Sequence, residues 1–121
     1  MKQILIADDD IAMIRLYQLH LRKIQAEAIV FNLAQPVIDR VDTLRPDLAI
    51  LDYDLPDLKG IEILKAIRGV DALKELPVIF VTGQGRQAVN EALLGAGACS
   101  VFNKPFSPIR LMTRVRELID D

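Results

Sequence analysis

Leu48-Ala49-Ile50-Leu51-Asp52-Tyr53-Asp54-Leu55-Pro56-Asp57-Leu58-Lys59-Gly60 is the stretch from which the fold can be read. Its opening aliphatic run shows no two-residue alternation, so it describes a strand covered on both faces. The run delivers a carboxylate, Asp52, to its C-terminal end, and a loop punctuated by Pro56 and Gly60 follows. Open α/β sheets present reactive groups in this way.

Working outward, the same kind of run recurs and alternates with amphipathic stretches. Gln3 to Ala7 reads as a first strand, stopped by Asp8-Asp9-Asp10. Asp10 suits the N-cap of a helix reaching Gln25, with Ile14, Tyr17, Leu21 and Ile24 as its apolar stripe. Ala28 to Phe31 is a second strand, and Pro36 suits the first turn of a helix that ends before Pro46. A third helix runs from Gly60 to Arg68, with Ile61, Leu64 and Ile67 inward and Gly69 as its stop. Val78 to Val81 is the fourth strand, followed by a Thr82–Gly85 loop and a helix from Arg86 to Leu94. Cys99 to Phe102 is the fifth, and a last helix spans Pro108 to Ile119. Strands apolar on both faces and separated by helices require a parallel sheet with helices on each side. The expected fold is a doubly wound (βα)5 α/β domain with a five-stranded parallel sheet.

Composition narrows the function classes. The 121 residues are 51% hydrophobic and 26% charged, enough for one domain, residues 1–121, with a real core. A formal net charge of −2 gives no general electrostatic reason to bind nucleic acid or an anionic membrane. The single cysteine, Cys99, excludes an internal disulfide and is expected to be a small buried hydrophobe. With no signal-peptide or membrane-span pattern, the expected location is cytoplasmic.

Right-handed crossovers place the C-terminal strand ends on one rim. Four loops there carry polar groups: Asp8, Asp9 and Asp10 after the first strand, Asp52 and Asp54 after the third, Thr82 after the fourth, Lys104 after the fifth. Clustered carboxylates repel unless a cation is present, and a hard ion such as Mg²⁺ takes oxygen ligands from one or two of them plus water and phosphate. Asp10 is used as a helix cap, which leaves Asp8 and Asp9 for the metal. Asp52 then reads as a nucleophile on phosphorus, forming an acyl phosphate. Magnesium, the Lys104 ammonium and the Thr82 hydroxyl would share the equatorial phosphoryl oxygens. No histidine base is needed, and the sole histidine, His20, reads as a helix-surface residue.

Ile4-Leu5-Ile6-Ala7-Asp8-Asp9-Asp10, Leu51-Asp52 through Pro56 and Gly60, Val81-Thr82-Gly83 and Lys104-Pro105-Phe106 come in this order, each at the end of a predicted strand. Together they resemble the receiver domain of two-component response regulators over the whole chain. The resemblance implies a flavodoxin-like sheet of order 2-1-3-4-5, with Asp52 as phosphoacceptor. It also implies Mg²⁺ held directly by Asp9, Asp52 and the backbone carbonyl of Asp54, and by Asp8 largely through water. Thr82 and Lys104 would read the phosphoryl group, and the Lys104–Pro105 bond would be cis. The implied donor is a sensor histidine kinase or histidine phosphotransfer protein. A homodimer through the fourth helix, fifth strand and fifth helix is a further implication.

Two positions depart from or add to that pattern. Where the family commonly carries an aromatic, three residues before the lysine, this chain has Val101. Phe102 follows, but a two-residue period puts it on the opposite face. A weaker or different response to phosphorylation on that side is therefore expected. Asp54 lies beside the path of a water attacking the acyl phosphate, so Asp54→Asn should alter the phosphoryl lifetime, and Gln84 lines the same opening. Arg110, Arg114 and Arg116 read as a solvated basic face on the last helix.

Asp52-Tyr53-Asp54 also resembles the paired-aspartate motif of haloacid-dehalogenase-type phosphatases, with Asp52 as nucleophile and Asp54 as general acid. That family carries the pair after its first core strand and in a longer chain. A flavin-binding module is a third option, opposed by the acidic first loop, which lacks a Ser/Thr/Gly cradle for phosphate.

Overall fold

The computed structural model describes residues 1–83 and 87–120. Five strands, β1 (Lys2–Ala7), β2 (Ala26–Phe31), β3 (Leu48–Asp52), β4 (Val78–Thr82) and β5 (Ser100–Asn103), form one sheet in the order β2-β1-β3-β4-β5. Every pairing is parallel. Between them run α1 (Ile11–Lys23), α2 (Ala34–Arg40), α3 (Ile61–Arg68), α4 (Gln87–Gly95) and α5 (Pro108–Ile119). The expected (βα)5 flavodoxin-like architecture is the one observed.

Alternate residues of the central strands feed two cores. Ile4, Ile6, Leu48, Ile50, Ile79 and Val81 pack with Tyr17 and Leu21 of α1 and with Leu111, Val115 and Ile119 of α5. Leu5, Ala7, Ala49, Leu51, Val78 and Phe80 point the other way, toward Val37 of α2, Ile63, Leu64 and Ile67 of α3, and Leu93 of α4. This two-sided burial is why β1, β3 and β4 read as unbroken apolar runs. Each fully buried aliphatic side chain contributes on the order of 1.5–3 kcal/mol through removal of its surface from water.

Several boundaries shift for identifiable reasons. α1 stops at Lys23 because Gln25 takes φ 59°, a left-handed turn, and β2 then starts at Ala26 rather than Ala28. Along α1, Met13 rather than Ile14 joins the core beside Tyr17 and Leu21. α2 ends at Arg40, well before Pro46, and a short 3-10 turn at Asp71–Leu73 was not anticipated. The first residue assigned to the fourth helix, Arg86, and the predicted lining residue Gln84 lie outside the described residues. Cys99 is exposed rather than buried. The inward place goes to Ala98, and Cys99 instead donates its N–H to Val78 O, 2.8 Å away, as β5 begins. Arg114 is also not a free surface charge, since its Nε donates to Ser100 Oγ at 2.7 Å.

Capping holds the rim loops in place. Asp10 accepts from the N–H groups of Ala12 (2.9 Å) and Met13 (3.3 Å), the cap expected from the sequence. α2 has no cap from its own Leu33. Asp57, from the β3–α3 loop, accepts instead from the N–H groups of Ala34 and Gln35, both at 2.8 Å. These backbone donors hold the Asp57 carboxyl below the usual carboxylate range.

Gly60 closes that loop against β3. Its N–H donates to Tyr53 O at 2.6 Å, and a Cβ placed there would run into the Asp52 carbonyl oxygen and lie 3.1 Å from Phe80 Cε1. Backbone cannot yield as a flexible side chain would. Gly60→Ala is expected to lower stability by about 1–3 kcal/mol, the usual cost of overpacking. Urea unfolding checks this, and an unchanged midpoint would contradict it.

Candidate functional site

The C-terminal ends of β1, β3, β4 and β5 bring the predicted polar residues to one edge of the sheet. Asp8, one residue past β1, is 1% exposed, and Asp52, at the end of β3, is 5% exposed. Asp8, Asp9 and Asp52 each offer a carboxylate oxygen within 4.8 Å of the others. Asp9 is the exposed member of the three.

Each buried carboxylate is oriented by a backbone donor two residues on. Asp10 N–H donates to Asp8 Oδ1 at 2.9 Å, and Asp54 N–H donates to Asp52 Oδ1 at 3.0 Å. Lys104 follows β5 and reaches across the edge, its Nζ 3.1 Å from Asp52 Oδ2 and 3.9 Å from Asp8 Oδ2. The Lys104–Pro105 peptide is cis, as the resemblance implied.

Among the described residues the site is short of positive charge. Burial pushes the Asp8 carboxyl up to about 6, against the opposing pull of the Asp10 N–H and the Lys104 ammonium. Burial likewise raises Asp52, again partly offset by the Asp54 N–H and by Lys104. For Lys104, burial works to lower the pKa, but the charges of Asp8 and Asp52 outweigh it and leave it above the usual lysine range. Among the described residues the Lys104 ammonium thus serves both Asp8 and Asp52, and Asp8 Oδ2 is buried with no hydrogen-bond partner.

A buried oxygen without a hydrogen bond, 3.9 Å from the Lys104 ammonium and beside two further carboxylates, is a donor set suited to a hard divalent cation, since all the ligands are oxygen. Asp8, Asp9 and Asp52 are the residues that could hold one. Asp54 joins the site through its N–H, while its carboxylate turns to Lys59 Nζ at 2.6 Å. Lys59 in turn lies 5.4 Å from the centre of the Tyr53 ring.

Thr82, at the end of β4, is fully buried. Its Oγ1 lies 2.9 Å from both Asn103 Oδ1 and Gly83 O. Asn103 went unremarked in the sequence because its pairing opposite Thr82 depends on strand register. Tyr17 was read only as core. Its hydroxyl is buried beside Asp8, and burial together with the Asp8 charge raises its pKa.

Val101 and Phe102 face opposite sides, as their spacing required. Val101 packs into the core shared with α2, α3 and α4, and Phe102 into the core shared with α1 and α5. Phe102 meets Phe106 edge-to-face, with centroids 6.2 Å apart. Phe102 therefore does not stand in for Val101. His20 is half-buried on α1, away from the rim. No helix among the described residues is long and apolar enough to cross a membrane.

Comparison with known proteins agrees with this geometry. The profile of the response regulator receiver domain matches residues 4–116. The alkaline phosphatase synthesis transcriptional regulatory protein PhoP of Bacillus subtilis is 30% identical over 118 residues, covering 98% of this chain and 48% of that protein. The polar-differentiation response regulator DivK of Brucella anthropi is 26% identical, with 99% of this chain and 98% of that one covered. Against the first relatives matched, this chain spans about half their length (48% and 45%). Among solved structures, a response regulator from Chloroflexus aurantiacus superposes with a TM-score of 0.90 at 29% identity, covering 99% of this chain and 98% of that one. The receiver domain of a sensor histidine kinase from Pseudomonas aeruginosa, which has magnesium in its active-site cleft, shares the fold. Its TM-score is 0.87 at 22% identity, with 99% and 98% of the two chains covered. Sheet order, rim residues and sequence similarity agree, and the chain belongs to the response regulator receiver domain family.

Proposed function

We propose that this chain, residues 1–121, is a phosphorylation-driven switch that accepts a phosphoryl group on Asp52 from a phosphohistidine donor in a Mg²⁺-dependent reaction. The observation that carries this reading is the convergence of the Asp8, Asp9 and Asp52 carboxylates with the Lys104 ammonium, 3.1 Å from Asp52 Oδ2. Receiver domains are signalling phosphoacceptors, broadly non-enzymatic. The donor is a sensor histidine kinase or a histidine phosphotransfer protein.

In this reading an Asp52 carboxylate oxygen attacks phosphorus, the P–N bond of the donor breaks, and the electron pair leaves on the imidazole. Asp52 is held for the attack by the Asp54 N–H at Oδ1. Lys104, already beside Oδ2, is placed to follow negative charge onto a phosphoryl oxygen. The Thr82 hydroxyl supplies a neutral donor from β4. Mg²⁺ held by Asp9, Asp52 and the Asp54 backbone carbonyl, with Asp8 acting largely through water, would neutralise a further phosphoryl oxygen and relieve the repulsion among the carboxylates.

Phosphorylation adds charge to an already anionic edge and biases a two-state equilibrium. A homodimer through α4, β5 and α5 belongs to the same reading, supported by the exposed Leu94 and Ile109 on the two helices. The domain itself is assigned no nucleic-acid or membrane contact, and a cytoplasmic location. The phosphatase alternative needs Asp54 as a general acid, whereas the structure pairs that carboxylate with Lys59.

Incubation with a small acyl phosphate tests the reading. One phosphoryl group per chain is expected with magnesium and none after chelation, whereas repeated turnover of a phosphomonoester would support the phosphatase instead. Asp54→Asn is expected to change the lifetime of the phosphorylated state, but by no more than about fivefold. Its carboxylate is engaged in a half-exposed pair, and such pairs are worth at most about 1 kcal/mol. Decay of labelled protein checks this, and a much larger change would assign Asp54 a direct part in hydrolysis.

A further inference from the structure

The Thr82 hydroxyl has two partners at equal distance and only one proton. Asn103 Oδ1 and Gly83 O both lie 2.9 Å from Oγ1. A hydroxyl donates once and accepts through its lone pairs, whereas an amide side chain offers both a donor and an acceptor end. Asn103 is therefore able to complement Thr82 in either role. It accepts when the hydroxyl points to it, and donates through its NH2 when the proton is used elsewhere.

Register makes this pairing specific. Thr82 and Asn103 are opposite one another in the parallel β4–β5 ladder, and Lys104 N–H donates to Thr82 O at 2.8 Å. The strand end carrying the lysine is thus tied to the threonine by a main-chain bond and by a side-chain bond. Val101, two residues before Asn103, offers no aromatic ring to follow the threonine, and Phe102 faces the other core.

We propose that Asn103 is a positioning residue for Thr82: its amide holds the hydroxyl in place before phosphorylation and donates to Oγ1 once that proton turns to the phosphoryl group. This rests on the reading of Asp52 as phosphoacceptor. In the phosphorylated state the chain of bonds runs from Asn103 N–H to Thr82 Oγ1 and from Thr82 O–H to the phosphoryl oxygen. Donation into the hydroxyl polarises it and strengthens the bond it gives. Asn103 would then carry the state of Thr82 into β5.

A double-mutant cycle measured with beryllium fluoride at saturating magnesium tests this. Asn103→Ala should weaken beryllium fluoride binding about five- to tenfold, the size of one hydrogen bond to a polar partner. In a Thr82→Val background the same substitution should have almost no further effect, because the group it positions is gone. Mg²⁺ affinity without the fluoride should stay within about twofold throughout, since a hydrogen bond to Thr82 does not reach the carboxylates. Asn103→Asp keeps the size but has no donor and adds charge, so it should bind the mimic more weakly than Asn103→Ala.

An equal loss in both backgrounds, or none in either, would overturn the role of Asn103 while leaving Asp52 as the acceptor. A parent protein that binds no beryllium fluoride at all would instead remove the reading on which the proposal rests.

Discussion

Asp8→Asn is expected to raise the stability of the metal-free protein at neutral pH by up to about 3 kcal/mol. Burial moves the Asp8 carboxyl from 3.8 to about 6. Each pKa unit corresponds to about 1.4 kcal/mol of preference for the neutral form. The folded state therefore binds more protons than the unfolded state between the two values. Stability is greatest where Asp8 is protonated in the fold and falls as pH rises from about 4 to about 6, after which the loss is complete.

Asp52, also raised by burial, adds to the decline in the same direction. Asp57 acts oppositely. Its folded pKa is lowered by the N–H groups of Ala34 and Gln35, so its contribution is present above its ordinary value of 3.8 and is lost on further acidification. The two effects predict a stability maximum in mildly acidic solution.

Magnesium should reverse the neutral-pH deficit, because a cation satisfies the charge that Lys104 only partly balances. In Asp8→Asn that stabilisation should shrink together with Mg²⁺ affinity. Urea unfolding at several pH values, with and without magnesium, checks both parts. An apo protein that becomes steadily more stable from pH 4 to 7 would contradict the assignment of Asp8 as a strained buried carboxylate.

Asp52→Asn is expected to remove covalent labelling by a small acyl phosphate altogether while preserving the fold. An amide is not a nucleophile toward phosphorus at neutral pH, whereas the carboxylate needs no base to be one. The asparagine oxygen can still accept the Asp54 N–H that Asp52 Oδ1 accepts at 3.0 Å. What is lost is the charge opposite Lys104, 3.1 Å away, leaving Asp8 at 3.9 Å as the nearer remaining anion. Because burial disfavours the ionised Asp52, neutralising it should not destabilise the apo protein. Retained thermal stability with no label is the expected pair of results. Label persisting on the variant would move the acceptor to another side chain.

Much of this was legible in the sequence because the sheet is buried on both faces. Leu48 to Leu51 and Val78 to Val81 lie between two helical layers, so their strands announced themselves as unbroken apolar runs. In a parallel sheet such strands share one C-terminal edge, which is why Asp8, Asp52, Thr82 and Lys104 could be placed together from widely separated positions. Residue type misled at Cys99, where a small apolar side chain just before the edge strand faces solvent because Ala98 fills the inward place. The turn at Asp71–Leu73 is too short to carry a period.

The partners of the site were the least legible. Asn103 faces Thr82 through strand register, the Tyr17 hydroxyl is hidden inside an apolar stripe, and Lys59 meets Asp54 through the fold of the loop. None of these leaves a pattern in the residues alone. Gly60 was read as punctuation, and its closeness to the Asp52 carbonyl appears only in three dimensions.

Mass spectrometry of peptides prepared in acid after reaction with acetyl phosphate and magnesium locates the phosphoryl group and so decides whether Asp52 is the acceptor. A single label is expected on the peptide containing Asp52, absent when magnesium is chelated. A label on any other residue, or none on the magnesium-loaded protein, would contradict that assignment.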